Sequence, residues 1–194
     1  TGACTTCATA TLRPTGDIGA TNFAPNAGST HYTQIDETTS DGDTTYVYDN
    51  TTNATGSDTV ALGTAPAGAV YAAVVHYTAR NYVTAGSPGT MNTHVVLKNS
   101  GATVASGGNH NLGTAYTAYT DTFAGLNLAS GAGLQAQYSQ DTASTNKKTS
   151  RLTYLDVVIT YSPADAVAPS APGTPTGSAG GTSSIALAWT CATD

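Results

Sequence analysis

The chain has 194 residues, of which only 9% are charged, and a formal net charge of −6. Its 11 Tyr and many β-branched residues exclude disorder, which combines few such residues with high charge. The acidic balance argues against nucleic acid, since Lys147-Lys148-Thr149-Ser150-Arg151 is the nearest approach to a phosphate-neutralising cluster, and no apolar run nears the ~20 residues of a membrane span.

In chain order, the sequence opens on Thr1 with no Met and no visible signal peptide, which suggests a processed or trimmed chain. Residues 1–12 read as an N-terminal arm containing Cys4 and Cys7. From residue 13 apolar and polar residues alternate with period two, which is the signature of half-buried strands. Strands are expected over His31–Glu37, Thr44–Tyr48, Asp58–Leu62, Val70–Val83, Thr90–Lys98, Thr114–Phe123, Gly133–Ser139 and Arg151–Tyr161. In Val70–Val83 one face would carry Val70, Ala72, Val74, His76 and Thr78, and the other Tyr71, Ala73, Val75, Tyr77 and Ala79. Gly, Asn, Asp and Ser clusters such as Ser40-Asp41-Gly42-Asp43 and Asn99-Ser100-Gly101 supply the turns.

About eight strands without crossover helices predict an all-β fold, an antiparallel β-sandwich of jelly-roll type over residues 13–162. Residues 163–182, rich in Pro and Gly, read as a linker. Residues 183–194 hold a last strand in which Ile185, Leu187 and Trp189 form an apolar face. Such a strand needs a partner, because its backbone groups and apolar face cannot stay exposed alone. Either the molecule has been cut short or the strand completes a sheet in a neighbouring subunit.

Two resemblances rest on particular residues. Leu12-Arg13-Pro14-Thr15-Gly16-Asp17, His31-Tyr32-Thr33-Gln34-Ile35-Asp36-Glu37 and Asp41-Gly42-Asp43-Thr44-Thr45-Tyr46-Val47 resemble the opening of a β-sandwich module of phage virion and tail proteins and secreted surface proteins. Family members often carry Trp where Phe23 stands. This resemblance implies a jelly-roll-like fold in an extracellular or virion setting and no reaction. Ala168-Pro169-Ser170-Ala171-Pro172-Gly173, with Ile185-Ala186-Leu187-Ala188-Trp189-Thr190, is similar to the first strands of a fibronectin type III domain. Such domains serve as spacers or adhesion modules.

The chemistry-bearing residues are few. Cys4, Cys7 and Cys191 are disulfide candidates; an odd count in the two arms fits bonds between subunits, with an intrachain bond or free or metal-bound thiols as alternatives. Glu37, Asp41 and Asp43, beside Asp36, could hold Ca²⁺, the one cofactor the sequence offers; the plainer reading is a hydrogen-bonded hairpin tip. His31, His76, His94 and His110 lack metal or catalytic spacing, and no nucleophile motif is present, so no enzyme is expected. Tyr46 with Tyr48, or Tyr116 with Tyr119, could stack on a sugar. Asn50-Thr51-Thr52 and Asn53-Ala54-Thr55 match the N-glycosylation pattern.

The leading expectation is a non-enzymatic structural subunit of an extracellular or virion assembly. Its partners would be copies of itself or other structural subunits, joined by exchange of the terminal strand. The alternative is a glycan-binding or adhesion module cut from a larger secreted protein or tail fibre.

Overall fold

The computed structural model describes residues 6–145, 147–163, 171, 173–174, 176–179 and 185–188. The chain divides into two units, Thr1–Pro163 and Ala164–Asp194. The first contains the strands β1 (Ala8–Leu12), β2 (Pro14–Thr21), β3 (Phe23–Pro25), β4 (Val47–Asp49), β5 (Gly56–Leu62), β6 (Gly68–Val83), β7 (Asn92–Asn99), β8 (Ala102–Ser106), β9 (His110–Asn111), β10 (Thr117–Leu128), β11 (Leu134–Gln140) and β12 (Lys148–Pro163). They form two antiparallel sheets. Sheet A has the order β10-β6-β12-β4-β3, with β1 also on β12; sheet B has the order β2-β5-β11-β7-β8, with β9 also on β7. The expected antiparallel sandwich is therefore present.

Its spine is the pairing of β6 with β12, each 16 residues long. Alternation sends Val75, Tyr77 and Ala79 of β6 and Leu155, Val157 and Ile159 of β12 into the core, all 0–1% exposed. The face expected to carry Ala73, Val75, Tyr77 and Ala79 is thus the core face, except at its start. A register shift skips Tyr71, so Val70 is buried in its place. A second shift inserts Thr153 between Leu152 and Tyr154, so Leu152 and Leu155 both point inward. From sheet B, Val60, Leu97, Ala136 and Tyr138 complete the core. Tyr77 and Tyr138 meet across the two sheets with ring centroids 5.7 Å apart, and Phe23 packs edge-on against Tyr138 at 5.8 Å.

The other edge of β12 explains a departure from the sequence reading. β4 pairs only with Arg151 and Leu152, and β1 with Val157 through Tyr161, leaving a gap. Residues 31–37, expected as a strand, fill that gap with a short 3-10 helix at Tyr32–Gln34. The Asp17 carboxylate accepts the backbone N–H groups of His31 and Tyr32 and turns the chain there. The buried Ile35 then accepts the N–H of Leu155 at 3.0 Å. β1 lies within the region read as an arm; half of that arm is therefore part of the sandwich.

In the second unit, β13 (Thr176–Ala179) and β14 (Ile185–Ala188) form an antiparallel hairpin. This corrects the expectation of an unpartnered last strand: the backbone of Ile185 and Leu187 pairs with Ala179 and Gly177 of the segment read as linker. Trp189 lies outside the described residues. Cys7 is disulfide-bonded, and Cys4 and Cys191 lie outside the described residues.

Gly56 gives a test of this packing. A methyl group there would lie 2.7 Å from the Thr21 carbonyl oxygen and 2.9 Å from the Phe23 ring. Replacing a strand glycine ordinarily helps by a fraction of a kcal/mol, but a backbone oxygen cannot swing aside. Gly56→Ala is therefore expected to destabilise by about 1–3 kcal/mol in urea unfolding.

Candidate functional site

The outer face of sheet A carries the acidic loop together with Tyr46, Tyr48 and Tyr116. Arg80 of β6 and Arg151 of β12 are register partners, so their side chains rise side by side. Arg151 lies 3.3 Å from the centroid of the Tyr82 ring and 4.2 Å from that of Tyr46; Arg80 lies 4.9 Å from Tyr82 and 4.7 Å from Tyr116. Rings and guanidiniums alternate as a ladder, Tyr116–Arg80–Tyr82–Arg151–Tyr46. Asp43 joins the two cations: Arg80 Nη2 donates to both of its oxygens at 2.8 Å, Arg151 Nη1 to Oδ1 at 2.7 Å, and the Tyr116 hydroxyl to Oδ1 at 3.0 Å. Burial works against the charge on Asp43, but these donors outweigh it and hold the carboxyl below its ordinary value.

The acidic loop is thus a clasp. Asp41 accepts from the backbone N–H and hydroxyl of Thr45 and from the Thr153 hydroxyl, the residue the β12 bulge inserts. The same Thr45 hydroxyl lies within hydrogen-bond reach of Glu37, so its single proton is shared between the two carboxyls, while burial raises the Glu37 carboxyl above the ordinary value. Asp43 faces the arginines and Asp41 faces Thr153, so these carboxylates do not converge as calcium ligands. Among the described residues no three His, Cys, Asp or Glu side chains form a metal-binding group.

The tyrosines expected to bind sugar are separated by the same geometry. Tyr46 and Tyr48 do pack together, edge-on at 5.8 Å, and Tyr46 and Tyr116 end the ladder with one face each against an arginine. Tyr119 is elsewhere, stacked on Tyr77 at 5.3 Å and tilted against His110. Tyr116 and Tyr119 therefore build no shared platform.

The outer face of sheet B carries a site the sequence did not single out. An open depression of about 450 Å³ is lined by Thr21, Thr55, Gly56, Ser57, His94, Gln137, Ser139, Gln140 and Asp141. Strand register explains it. Thr21 of β2 pairs with Ser57 of β5, Ser57 with Ser139 of β11, and Ser139 with His94 of β7, so three hydroxyls and an imidazole form one row across four strands. Gln137, two residues along β11, donates to Ser139 Oγ at 3.1 Å.

Asp141, just beyond β11, fixes His94 through Nδ1···Oδ2 at 2.7 Å. In the neutral imidazole tautomer whose Nδ1 donates to Asp141, Nε2 is left as an acceptor. Beneath the row, the buried Gln140 donates to Asp49 Oδ2 at 2.6 Å and accepts the Ser150 N–H at 2.9 Å, which makes the floor rigid. Burial raises the Asp49 carboxyl above its ordinary value against the Thr51, Ser144 and Gln140 hydrogen bonds.

All four histidines are held by carboxylates: His31 by Asp58, His76 by Asp156, His94 by Asp141 and His110 by Asp121, at 2.7–3.1 Å. They are hydrogen-bonded sheet and loop residues. Only His94 lines the depression. Asp156 is taken by His76 and by the Tyr154 hydroxyl.

No family model and no curated protein matches the chain. Among solved structures it is similar to one described as "CBM4 structure and function", at 14% identity and TM-score 0.43, over 70% of this chain and 93% of that one. It is similar to a "Family 16 Carbohydrate Binding Module-2" at 12% identity and TM-score 0.39, over 60% and 78%. The enzymatically active domain of tailspike protein 4 from bacteriophage CBA120 aligns at 11% identity and TM-score 0.40, over 81% of this chain but 20% of that one. At these scores the likeness carries no argument about function.

Two outcomes test the electrostatics. Arg151→Ala removes the guanidinium between Tyr82 and Tyr46 and one of the cations on Asp43. It is expected to lower stability by about 1–2 kcal/mol in urea and to speed proteolysis at residues 38–45. For Asp49 the folded carboxyl titrates above its ordinary value of about 3.9, so the folded chain binds a proton the unfolded chain releases. Stability from Asp49 therefore rises as pH falls through the window between the two values. Asp49→Asn removes that rise, and urea midpoints measured between pH 7 and pH 3.5 would show the parent gaining on the variant.

Proposed function

We propose that the sandwich unit is a glycan-binding module of an extracellular protein, and that sugar binds in the depression on sheet B. The observation that carries this reading is the row of Thr21, Ser57, Ser139 and His94 beside the amide of Gln137. Hydroxyls, an amide and a carboxylate-oriented imidazole offer donors and acceptors in alternation, which is what a hydroxyl-rich ligand requires. A volume of about 450 Å³ is within the range of small-ligand sites. The reading is of binding without turnover, with His94 held through Nδ1 by Asp141 as an orienting contact for the ligand.

Assembly by exchange of the terminal strand is not part of this proposal. β14 already has its backbone partner in β13, so that strand needs no second copy of the chain. By the resemblance of its sequence we read the second unit as fibronectin type III-like, a spacer or adhesion element that follows the sandwich in the chain.

The test is a glycan array followed by calorimetry on the full chain. Binding to one sugar class is expected, weakened about five- to tenfold by Gln137→Ala or His94→Ala, the loss of about one net hydrogen bond each. Unchanged binding in both variants would place the site elsewhere, with Tyr46 and Tyr48 the next residues to replace.

A further inference from the structure

We infer that the sheet B depression takes a neutral oligosaccharide of two or three units laid across the strands, held by hydrogen bonds without ring stacking. This rests on the glycan-binding reading and specifies its ligand.

The direction comes from register. Thr21, Ser57, Ser139 and His94 occupy adjacent strands, so the row crosses three inter-strand gaps of ~4.8 Å, about 14 Å in all. That is longer than one sugar ring and close to a di- or trisaccharide. The two ends differ. At the β7 end His94, Asp141, Gln137 and Ser139 gather, whereas the β2 end offers the hydroxyls of Thr21 and Thr55. One sugar unit binds at the His94 end, and further units extend towards Thr21.

The charge of the ligand follows from what lines the site. Asp141 is the one charged residue of the lining, and no Lys or Arg is among it. The nearest cation on the same face of β7 is Lys98, four residues from His94 and so about 13 Å along the strand. Beneath the floor the Asp49 carboxylate lies 2.6 Å from Gln140, and Asp58 follows Ser57 on the inward face, 2% exposed. A sulfate, uronate or phosphate group would meet carboxylates and no partner, which disfavours it. A neutral sugar meets donors and acceptors.

The absence of stacking follows from the same face. The neighbouring rung, Thr59, Gln137 and Val96, and the next, Ala61, Gln135 and Lys98, carry no ring. Thr59, Val96 and Ser139 are only 7–8% exposed, so neighbouring side chains cover them and no flat apolar surface is offered to a sugar ring. Specificity then comes from the pattern of hydroxyl groups.

Calorimetric titration of the full chain with neutral gluco-, xylo- and manno-oligosaccharides of one to five units, and with oligogalacturonates as the acidic counterpart, tests this. Affinity for the neutral series that binds should rise about five- to tenfold per unit up to the second or third and then level off. Oligogalacturonates should bind at least tenfold more weakly. Thr21→Ala, an exposed position, should cost the trisaccharide about fivefold more than the monosaccharide, and Ser57→Ala should act in the same way. Equal affinity for mono- and trisaccharide, tighter binding of the acidic series, or a Thr21→Ala loss independent of length would overturn the inference while leaving glycan binding intact. No binding by any sugar would overturn both.

Discussion

The long antiparallel pairing of β6 with β12 is the constraint on which the rest of the sandwich depends. Strands of 16 residues with apolar inner faces fix the core, yet each needs a register shift to keep those faces turned inward. The shift at Thr153 has the wider consequence. It places a buried hydroxyl beside the acidic loop, where Thr153 donates to Asp41 and reaches the Thr45 carbonyl. The loop is then close enough for Asp43 to bridge Arg80 and Arg151, which the same pairing holds side by side. One inserted residue thus connects core packing to the arrangement of an entire outer face.

Low charge raises the question of how the buried carboxylates are accommodated. With six Lys and Arg for twelve Asp and Glu, most acids cannot have a strong cation. The fold answers with weaker donors: imidazoles on Asp58, Asp121, Asp141 and Asp156, an amide on Asp49, and hydroxyls on Asp41 and Glu37. Where desolvation exceeds these donors, as at Glu37, Asp49 and Asp58, the carboxyl is raised; where two guanidiniums converge, at Asp43, it is lowered. Both directions follow from the scarcity and placement of cations.

Period-two alternation made the central strands legible, because burial on one face leaves a clear mark at Val75, Tyr77, Val157 and Ile159. The edges were harder. β2 reads Pro14-Thr15-Gly16-Asp17-Ile18-Gly19-Ala20-Thr21, mostly exposed, with Ile18 pointing outward at 54% and two register shifts against β5, so no pattern survives. Residues 31–37 looked like a strand because aromatic Tyr32, β-branched Thr33 and Ile35 favour extended backbone; the turn depends on Asp17, 14 residues away from His31. The terminal strand was legible as a strand, but its partner Thr176–Ala179 lay in a segment whose Gly and Pro content suggested a linker. The tyrosines are half-buried, with Tyr119 packed against the core, and their neighbours were not readable. Nothing in the sequence says that Arg80 and Arg151 are register partners. The depression was hidden for the same reason: Ser57, His94 and Ser139 are unremarkable singly and form a row only once three strands are aligned.

These two outer faces divide the surface chemistry. On sheet A Tyr82 lies against two guanidiniums and Tyr46 and Tyr116 against one each, so a sugar stacking within the ladder would have to displace a cation that also holds Asp43. A ring already stacked on arginine, with its charge partner in place, gains little by exchanging that contact for a sugar face. On sheet B the residues are small, so the strands can present a continuous line of hydroxyls close to the backbone, over a floor made rigid by Gln140 and Asp49. A binding surface needs polar groups that are held in place yet not consumed by one another. Sheet A has spent its polar groups on closing a loop, whereas on sheet B the Gln137 amide gives one N–H to Ser139 and leaves its other N–H and its carbonyl, with His94 Nε2 and the Thr21 and Ser57 hydroxyls, for a ligand.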